Sequence, residues 1–163
     1  MIFSRFCGLK ALALTAFVIT TAPQSPAHAQ SEADTERMLA LNLYHEARQD
    51  GRDGMIAVGW VVFNRVDAPS FPDTVYDVIT QGGETPPCQF GWWCDGKSDR
   101  PEDQELWQEA QAVAGELLSD SRPADPTGGA IYFWETWRDT PGWAAGKVRQ
   151  TATIGGNNFY QLQ

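Results

Sequence analysis

The sequence has no apolar run long enough to cross a membrane as a helix. The apolar run near the N-terminus, residues 11–19, is about half of the ~20 residues that a membrane-spanning helix needs. Arg5 and Lys10 precede this run, and the Ala-His-Ala segment at residues 27–29 follows it with the small-x-small form of a signal-peptidase site. We therefore predict a cleaved secretory signal and disfavour a stable membrane anchor.

This cleavage would set the size and the compartment of the mature protein. Residues 1–29 form the predicted signal peptide, and residues 30–163 form a single domain, because a chain of that length can build one core. The protein is then exported to the periplasm or the cell envelope, or secreted. We expect a monomer.

Basic residues are scarce, with 12 Lys and Arg against 21 Asp and Glu. Loss of the signal peptide leaves ten basic against 21 acidic residues, a formal charge of −11. Such a surface repels phosphate backbones and anionic headgroups, which argues against nucleic acid and anionic membranes as partners. The acidity otherwise indicates solubility and favours no particular substrate.

Cysteine and histidine are also few. Cys7 lies in the predicted signal peptide, so the mature domain keeps Cys88 and Cys94, and His45 is its one histidine. An even pair of cysteines in an oxidising compartment predicts a disulfide, whose small ring would fix the shape of residues 89–93. A metal site lacks ligands, so we expect neither a metal nor a cofactor.

The distribution of apolar residues predicts two long helices in the first half of the chain, the first from its periodicity and the second from its length. Residues 34–48 carry apolar side chains at helical spacing, and their candidate N-caps are Ser31, Asp34 and Thr35. Residues 55–66 are apolar on nearly every side, which fits a buried helix or a buried strand. Their length, with Gly54 and Gly59 to admit a close neighbour, favours the helix.

Two further helices are predicted downstream. A short one begins near residues 72–74, because proline suits the first turn, and carries Val75, Val78 and Ile79 inward. A Gly-, Pro- and Trp-rich loop covers residues 81–98. Residues 101–118 then form a helix after a Ser98 or Asp99 cap, with one apolar face made by Leu106, Ala110, Val113 and Leu117.

The C-terminal part predicts strands. Residues 130–134 form one strand, and residues 151–154 and 159–162 form a hairpin closed by the turn Gly155-Gly156-Asn157-Asn158. The predicted fold class is therefore α+β: a mainly helical domain with a small antiparallel sheet near the C-terminus.

Glu46 is the strongest candidate for a catalytic residue. It follows Leu39 by seven positions and Leu43 by three, so its carboxylate falls on or beside the buried face of the first helix. Desolvation raises the pKa of a glutamate above its ordinary value of about 4.3, which keeps it protonated as a glycosidic proton donor must be. The alternative is a solvated glutamate paired with Arg48.

Five sequence blocks resemble the SleB-type cell wall hydrolase family, which is named for spore cortex-lytic enzymes. The first is Tyr-His-Glu-Ala-Arg at residues 44–48, continued by Ile-Ala-Val and Val-Phe-Asn-Arg-Val within residues 56–66. The others lie within residues 71–79, 88–96, 125–133 and 154–160. Each block is weak alone, but five in the family's order are specific, and they span about residues 37–160.

The resemblance implies a lysozyme-like fold related to that of lytic transglycosylases. It also implies cleavage of peptidoglycan glycan strands between N-acetylmuramic acid and N-acetylglucosamine, with the glutamate of the Glu-Ala-Arg motif essential. That residue is Glu46 here.

The chain departs from the family pattern at two places. Gln49-Asp50 stands where the family commonly has Gly-Glu, and Gly156-Asn157 stands where it commonly has Asn-His. The first departure weakens a role for an acid at position 50, and the second removes a candidate imidazole near the sheet.

Two reactions on the glycan remain open. A hydrolase needs two carboxylates separated by roughly 5 to 10 Å, and the candidates for the second are Asp50, Asp53 and Asp95. A lytic transglycosylase needs one, because the acid that protonates the leaving oxygen then takes the proton of the muramic 6-hydroxyl and closes a 1,6-anhydro ring. The resemblance favours the transglycosylase, and so does its need for one carboxylate instead of two.

Several side chains are candidates for holding the sugar. Gln89 and Phe90, presented by the disulfide ring, would hydrogen-bond and stack, and Thr127 and Tyr132 would orient Glu46 or the substrate. Aromatic faces stack on sugar rings, so the loop tryptophans are candidates for lining a groove: Trp92, Trp93, Trp137 and Trp143. Trp60 and Trp107 are assigned to packing. Phe90 and Tyr132 fit a core role equally well, and Thr127 fits a turn cap.

Two other classes of function compete with this one. A module that binds glycan without cutting it is the main alternative, because the two departures also fit a decayed site. An amidase or peptidase acting on the peptide stems is disfavoured, since it needs a metal cluster or a Cys or Ser nucleophile with a histidine.

Overall fold

The computed structural model describes residues 26–163, with side chains from residue 32 onward. Most of the predicted signal peptide lies outside the described residues. Five helices come first: α1 (Pro26–Ala47), α2 (Gly51–Val66), α3 (Val75–Thr80), α4 (Gly91–Cys94) and α5 (Gln104–Leu118). Three strands follow: β1 (Tyr132–Glu135), β2 (Val148–Ile154) and β3 (Asn157–Leu162). The predicted helices and the predicted C-terminal strands are therefore confirmed, and within residues 26–163 no helix is long and apolar enough to span a membrane.

Helices α1, α2, α3 and α5 enclose the main core, whose fully buried side chains include Leu39, Leu43, Val58 and Leu117. Gly59 admits the close neighbour predicted for it, because a Cβ built there would lie 2.4 Å from Leu117 Cδ1 of α5. The apolar run of residues 55–66 is thus a packed helix. Its burial against α1, α3, α5 and the sheet explains why it is apolar on nearly every side.

The helix starts differ from those predicted. Helix α1 begins at Pro26, so Ser31, Asp34 and Thr35 lie inside it and do not cap it. Helix α3 begins after Thr74, inside the predicted start at residues 72–74, and Thr74 Oγ1 accepts a hydrogen bond from Asp77 N at 3.1 Å. The predicted place of proline in the first turn is wrong, because Pro72 precedes the cap. Helix α5 is capped by Asp103, whose Oδ1 accepts from the backbone of Glu105 and Leu106 at 3.0 Å each.

The cap of α5 moves because of a tertiary contact. The Tyr44 hydroxyl of α1 accepts the backbone N–H groups of Glu102 and Asp103 at 3.1 and 3.0 Å. These bonds hold residues 102 and 103 outside the helix, so Ser98 and Asp99 are too far upstream to cap it. Periodicity predicts the apolar face correctly, but it cannot show where a distant hydroxyl stops the helix.

The sheet is antiparallel with strand order β1-β3-β2. The hairpin turn is tighter than predicted: Ile154 pairs with Asn157, so Gly155 and Gly156 alone form the turn and Asn157 and Asn158 belong to β3. Gly155 has φ +58°, which a two-residue turn of this kind requires. The sheet packs on α2 through Phe159.

The predicted disulfide is present between Cys88 and Cys94, with Cα atoms 6.2 Å apart. It spans the predicted loop segment, in which residues 91–94 form the short helix α4. This segment packs beside the C-terminal end of α1, where the Trp92 ring stacks on His45 with centroids 4.9 Å apart.

Replacement of Asp103 with alanine should lower the free energy of unfolding by about 1 kcal/mol, because two N–H groups of α5 lose their acceptor. Asp103→Asn keeps a side-chain oxygen at the cap and should recover most of the loss. Urea unfolding followed by circular dichroism measures both variants, with Asp99→Ala as the control at the position that the sequence favoured. Equal stability of the alanine and asparagine variants would contradict the capping role.

Candidate active site

A pocket of about 490 Å³ lies where the helices meet the sheet. One wall is the end of α1 and the turn into α2, and the opposite wall is the end of β1 with the residues after it. Arg65 of α2, the disulfide segment and the hairpin turn close the sides. The lining residues are His45, Glu46, Arg48, Gln49, Asp50, Arg65, Gln89, Phe90, Phe133, Trp134, Glu135, Thr136, Trp137, Arg138, Gly156 and Asn157.

Glu46 lies in the last turn of α1 with its side chain half-buried in this pocket. Burial raises the pKa of its carboxyl from 4.5 to about 7, because the charged form loses solvation. The positive charge of Arg65 opposes this rise in pKa, and the negative charge of Glu135 adds to it. Glu46 is therefore an acid that holds its proton up to neutral pH and can release it there.

Arg65 is the most buried cation of the pocket lining, with 4% of its surface exposed. Its Nε donates to Ile131 O at 2.9 Å, and its guanidinium lies over the rings of Phe71 and Phe90 at 5.2 and 5.0 Å from their centroids. Among the residues described, Nη1 has no hydrogen-bond partner. Burial lowers the pKa of Arg65 to about 10, so the side chain is charged at neutral pH.

Glu135 ends β1 on the wall opposite α1. Its side chain is 44% exposed and forms a long ion pair with Arg138, whose Nη1 lies 3.5 Å from Glu135 Oε2. An exposed pair of this length is weak. The pocket therefore sets the shielded Glu46, which keeps its proton up to about neutral pH, opposite the more exposed carboxyl group of Glu135.

Asp50 is the one of the three predicted second carboxylates that lines the pocket. Its Oδ1 accepts from Gly156 N at 2.6 Å and its Oδ2 from Asn157 Nδ2 at 2.8 Å, so both oxygens are occupied. Asp53 is exposed and outside the lining, and Asp95 is exposed and paired with Lys97 at 3.1 Å. The two departures from the family pattern, at residues 49–50 and 156–157, are thus in contact with each other.

The candidate sugar-binding residues divide into two groups. Gln89 lines the pocket with an exposed side chain, and Phe90 lines it while remaining almost fully buried. Trp92 and Trp93 are not among the lining residues. Trp92 is buried with Nε1 donating to Asn42 Oδ1 at 3.0 Å, and Trp93 packs partly buried against the core.

Thr127 and Tyr132 also lie outside the pocket lining. Thr127 is fully buried, with Oγ1 donating to Asp125 Oδ1 at 2.7 Å and accepting from Ala130 N at 3.2 Å, which matches the turn-cap alternative. Tyr132 packs edge-on against Phe71 and Trp143. Tyr132 is thus part of β1, and Thr127 holds the turn that precedes it, so both support the pocket wall without lining the pocket.

Exposed aromatic surface remains at the pocket mouth. Trp137 lines the pocket and is 79% exposed, so it offers an open ring face. Trp143 is 53% exposed but lies outside the lining and packs on Tyr132. Of the loop tryptophans predicted for a groove, Trp137 is the one that the structure puts at the pocket.

Sequence reasoning did not single out Arg65, Glu135 or Trp134. Arg65 carries a detectable signal, because an arginine at the end of an apolar helix must be buried with its charge or shielded by neighbours. Glu135 directly follows a predicted strand, but nothing local shows that this strand end faces α1.

The raised pKa of Glu46 makes the stability of the fold depend on pH. Its folded pKa lies above its ordinary value, so its contribution to stability is present below pH 4.5 and is lost as pH rises through about 7. Glu46→Gln has no such titration. Its free energy of unfolding, relative to that of the wild type, should therefore rise by on the order of 3 kcal/mol between pH 4 and pH 8. Urea unfolding at both pH values measures the gain, and a difference that does not grow with pH would contradict the shielding.

Comparison with known proteins matches residues 49–160 to the family described as Cell Wall Hydrolase. The match begins three residues after Glu46. The spore cortex-lytic enzyme of Oceanobacillus iheyensis is 32% identical over 108 residues, which are 66% of this chain and 34% of the relative. That of Bacillus subtilis is 29% identical over 124 residues, 76% of this chain and 36% of the relative. The chain thus spans about a third of the length of these curated relatives.

Two solved structures share the fold. The catalytic domain of the germination-specific lytic transglycosylase SleB from Bacillus anthracis aligns with a TM-score of 0.60 and 30% identity, over 78% of this chain and 94% of that one. The catalytic domain of the Bacillus cereus SleB protein aligns with a TM-score of 0.59 and 26% identity, over 79% and 91%. The predicted fold and the resemblance are confirmed: this chain belongs to the cell wall hydrolase family of the spore cortex-lytic enzymes.

Proposed function

We propose that this chain is a lytic transglycosylase that cleaves peptidoglycan glycan strands between N-acetylmuramic acid and N-acetylglucosamine. The observation that carries the proposal is a single shielded acid, Glu46, whose pKa of about 7 suits it to give and then take a proton. Its pocket, of about 490 Å³, is in the size range of small-ligand sites and is open to an extended chain. The names of the relatives support the same substrate class.

The proposed reaction has two steps. Glu46 first donates its proton to the glycosidic oxygen as the bond from that oxygen to the muramic C1 breaks, and the glucosamine leaves with a 4-hydroxyl. The Glu46 carboxylate then takes the proton of the muramic 6-hydroxyl while O6 bonds to C1. The product is a 1,6-anhydro sugar, Glu46 ends protonated again, and no water is consumed.

Arg65 and Glu135 would assist opposite halves of this cycle. The charge of Arg65 favours the Glu46 carboxylate that forms when the proton leaves. The charge of Glu135 favours the protonated acid and the positive charge that develops at C1. Together they hold the pKa of Glu46 near the pH at which both proton transfers are possible.

The pocket rim would hold the sugars. We propose that Gln89 hydrogen-bonds a sugar hydroxyl and that Phe90 and the open face of Trp137 contact sugar rings. The remaining candidates, Thr127, Tyr132, Trp92 and Trp93, are proposed to act through the walls that they support. We further propose that residues 30–163 work as an exported monomer that binds neither nucleic acid nor membrane. The disulfide supports an oxidising compartment.

Hydrolysis is the second candidate, and the presence of Glu135 in the same pocket is the observation that favours it. In that reaction Glu135 would activate a water against C1 while Glu46 protonates the leaving oxygen. Asp50 does not suit this role, because both of its oxygens accept hydrogen bonds from the hairpin.

Glu46→Gln should reduce the release of soluble fragments from purified peptidoglycan by at least about 100-fold, because the amide cannot donate the proton. Mass spectrometry of the wild-type digest should show 1,6-anhydromuramic ends. Glu84→Gln, an exposed loop position, is the matched control and should behave as the wild type. Unchanged lysis by Glu46→Gln would overturn Glu46 as the acid. Absence of lysis by the wild type would overturn the enzyme proposal in favour of a glycan-binding module, and reducing muramic ends would overturn transglycosylation.

Glu135→Gln separates the two reactions. For a transglycosylase, loss of this negative charge lowers the pKa of Glu46, so the alkaline limb of the kcat/KM profile should move to lower pH while anhydro products persist. For a hydrolase that uses Glu135 as its base, the rate should instead fall by about 100-fold or more at every pH. The control is Asp139→Asn, an exposed acid in the loop that follows β1.

A further inference from the structure

Asp50 occupies the N-cap position of α2 but does not cap that helix with its side chain. Its backbone N–H instead donates to Ala47 O at 3.0 Å, which ties it to the end of α1. Its carboxylate reaches the hairpin turn, where it accepts from Gly156 N and Asn157 Nδ2 at 2.6 and 2.8 Å. Hydrogen bonds to an ionised acceptor at these lengths are strong ones. The side chain therefore serves a contact more than 100 residues away instead of its own helix.

Three glycines leave room for this side chain. A Cβ built on Gly54 would lie 2.2 Å from Asp50 Cβ, and one built on Gly155 would lie 2.6 Å from it. A Cβ on Gly156 would lie 3.1 Å from Asp50 Oδ1. Because real Cβ atoms do not approach so closely, larger residues at positions 54 and 155 would displace the carboxylate. The backbone around Asp50 is thus shaped to its present position.

The hairpin turn is itself bonded to the far wall of the pocket. Asn157 is the register partner of Glu135 between β3 and β1, and Thr136 N donates to Gly156 O at 2.8 Å. A short path therefore joins the two walls: from the end of α1, through Asp50, to the turn and on to Glu135.

We propose that Asp50 is a positioning residue that clamps the sheet wall to the end of α1 and so fixes the width of the pocket between Glu46 and Glu135. This rests on the proposed function, in which Glu46 is the acid. The clamp acts through hydrogen-bond geometry, and its carboxylate transfers no proton.

Release of the clamp would change the surroundings of Glu46. The charged and titratable groups that line its pocket are His45, Arg48 and Asp50 from the α1 side, Arg65 of α2, and Glu135 and Arg138 from the β1 side. If the far wall moves out, water enters and Glu135 recedes. Both changes lower the pKa of Glu46 and so move the alkaline limb of the activity profile to lower pH.

Two substitutions at position 50 separate geometry from charge. Asp50→Asn can rebuild both bonds, with Oδ1 accepting from Gly156 N and Nδ2 donating to Asn157 once that amide turns over. Asp50→Ala removes both bonds. We expect the asparagine variant to keep kcat/KM within about threefold of wild type with an unmoved alkaline limb. The alanine variant should lose at least about tenfold in kcat, because misplacement of the reacting groups is costly. The alkaline limb of its activity profile should move to lower pH.

Gly54→Ala tests the same clamp without touching a pocket residue, and it decides the matter if Asp50→Ala does not fold. Alanine is the better helix former, so helix propensity predicts no loss in thermal unfolding. A Cβ at position 54 would lie 2.2 Å from Asp50 Cβ, so residue 50 must shift and take its carboxylate with it. We expect the same fall in kcat and the same limb shift as for Asp50→Ala. Asp73→Ala, an exposed acid outside the pocket, is the control that should match the wild type.

All of these variants are compared by their rates of digestion of purified peptidoglycan over a range of pH, and circular dichroism verifies that each is folded. Equal losses for the asparagine and alanine variants would overturn the clamp, since charge or proton transfer would then be the role of Asp50. Wild-type activity and an unmoved limb for Asp50→Ala or Gly54→Ala would overturn it as well. Glu46→Gln in the same assay distinguishes the two proposals: full activity there sinks the proposed function, whereas its inactivity with equal losses at position 50 sinks only the clamp.

Discussion

The desolvation of one carboxyl group is the constraint on which the rest of the site depends. Glu46 lies in the last turn of a helix that packs on the core, and the sheet forms the opposite wall of the pocket that holds its half-buried side chain. A buried carboxylate is costly, so the group keeps its proton to about pH 7. The free energy of unfolding is therefore lower at higher pH. Strongly shifted pKa values of this kind are concentrated at functional sites.

The fold supplies this environment by bringing two layers together. The helical layer presents Glu46 and Arg65, and the C-terminal sheet presents Glu135 across the pocket. The charges of Arg65 and Glu135 act on Glu46 in opposite directions, so its pKa is set by a balance and not by burial alone. That balance depends on the distance between the two layers. The hydrogen bonds between Asp50 and the hairpin matter because they join these layers.

Much of the fold follows from local pattern, because apolar periodicity reports which faces are buried. The buried face of α5 was predictable for this reason. Helix α2, apolar on nearly every side, was predictable only from its length and its glycines, and the hairpin from its paired glycines. The start of α5 was not, since it is decided by the Tyr44 hydroxyl on another helix. For the same reason Glu46 could be placed from its own helix and motif, whereas Glu135 and the contact of Asp50 with Asn157 depend on the approach of distant segments. The indole rings of Trp92 and Trp93 turned inward because the disulfide segment packs on α1, which sequence composition does not reveal.

Titration of the Glu46 carboxyl group in the folded chain tests most directly whether Glu46 is a shielded acid. Side-chain carboxyl ¹³C chemical shifts of the intact protein, assigned by comparison with Glu46→Gln, would report its pKa without any substrate. We expect a midpoint near 7. A midpoint near the ordinary 4.5, with the fold intact, would contradict it, because the carboxyl would then be solvated and ionised at neutral pH.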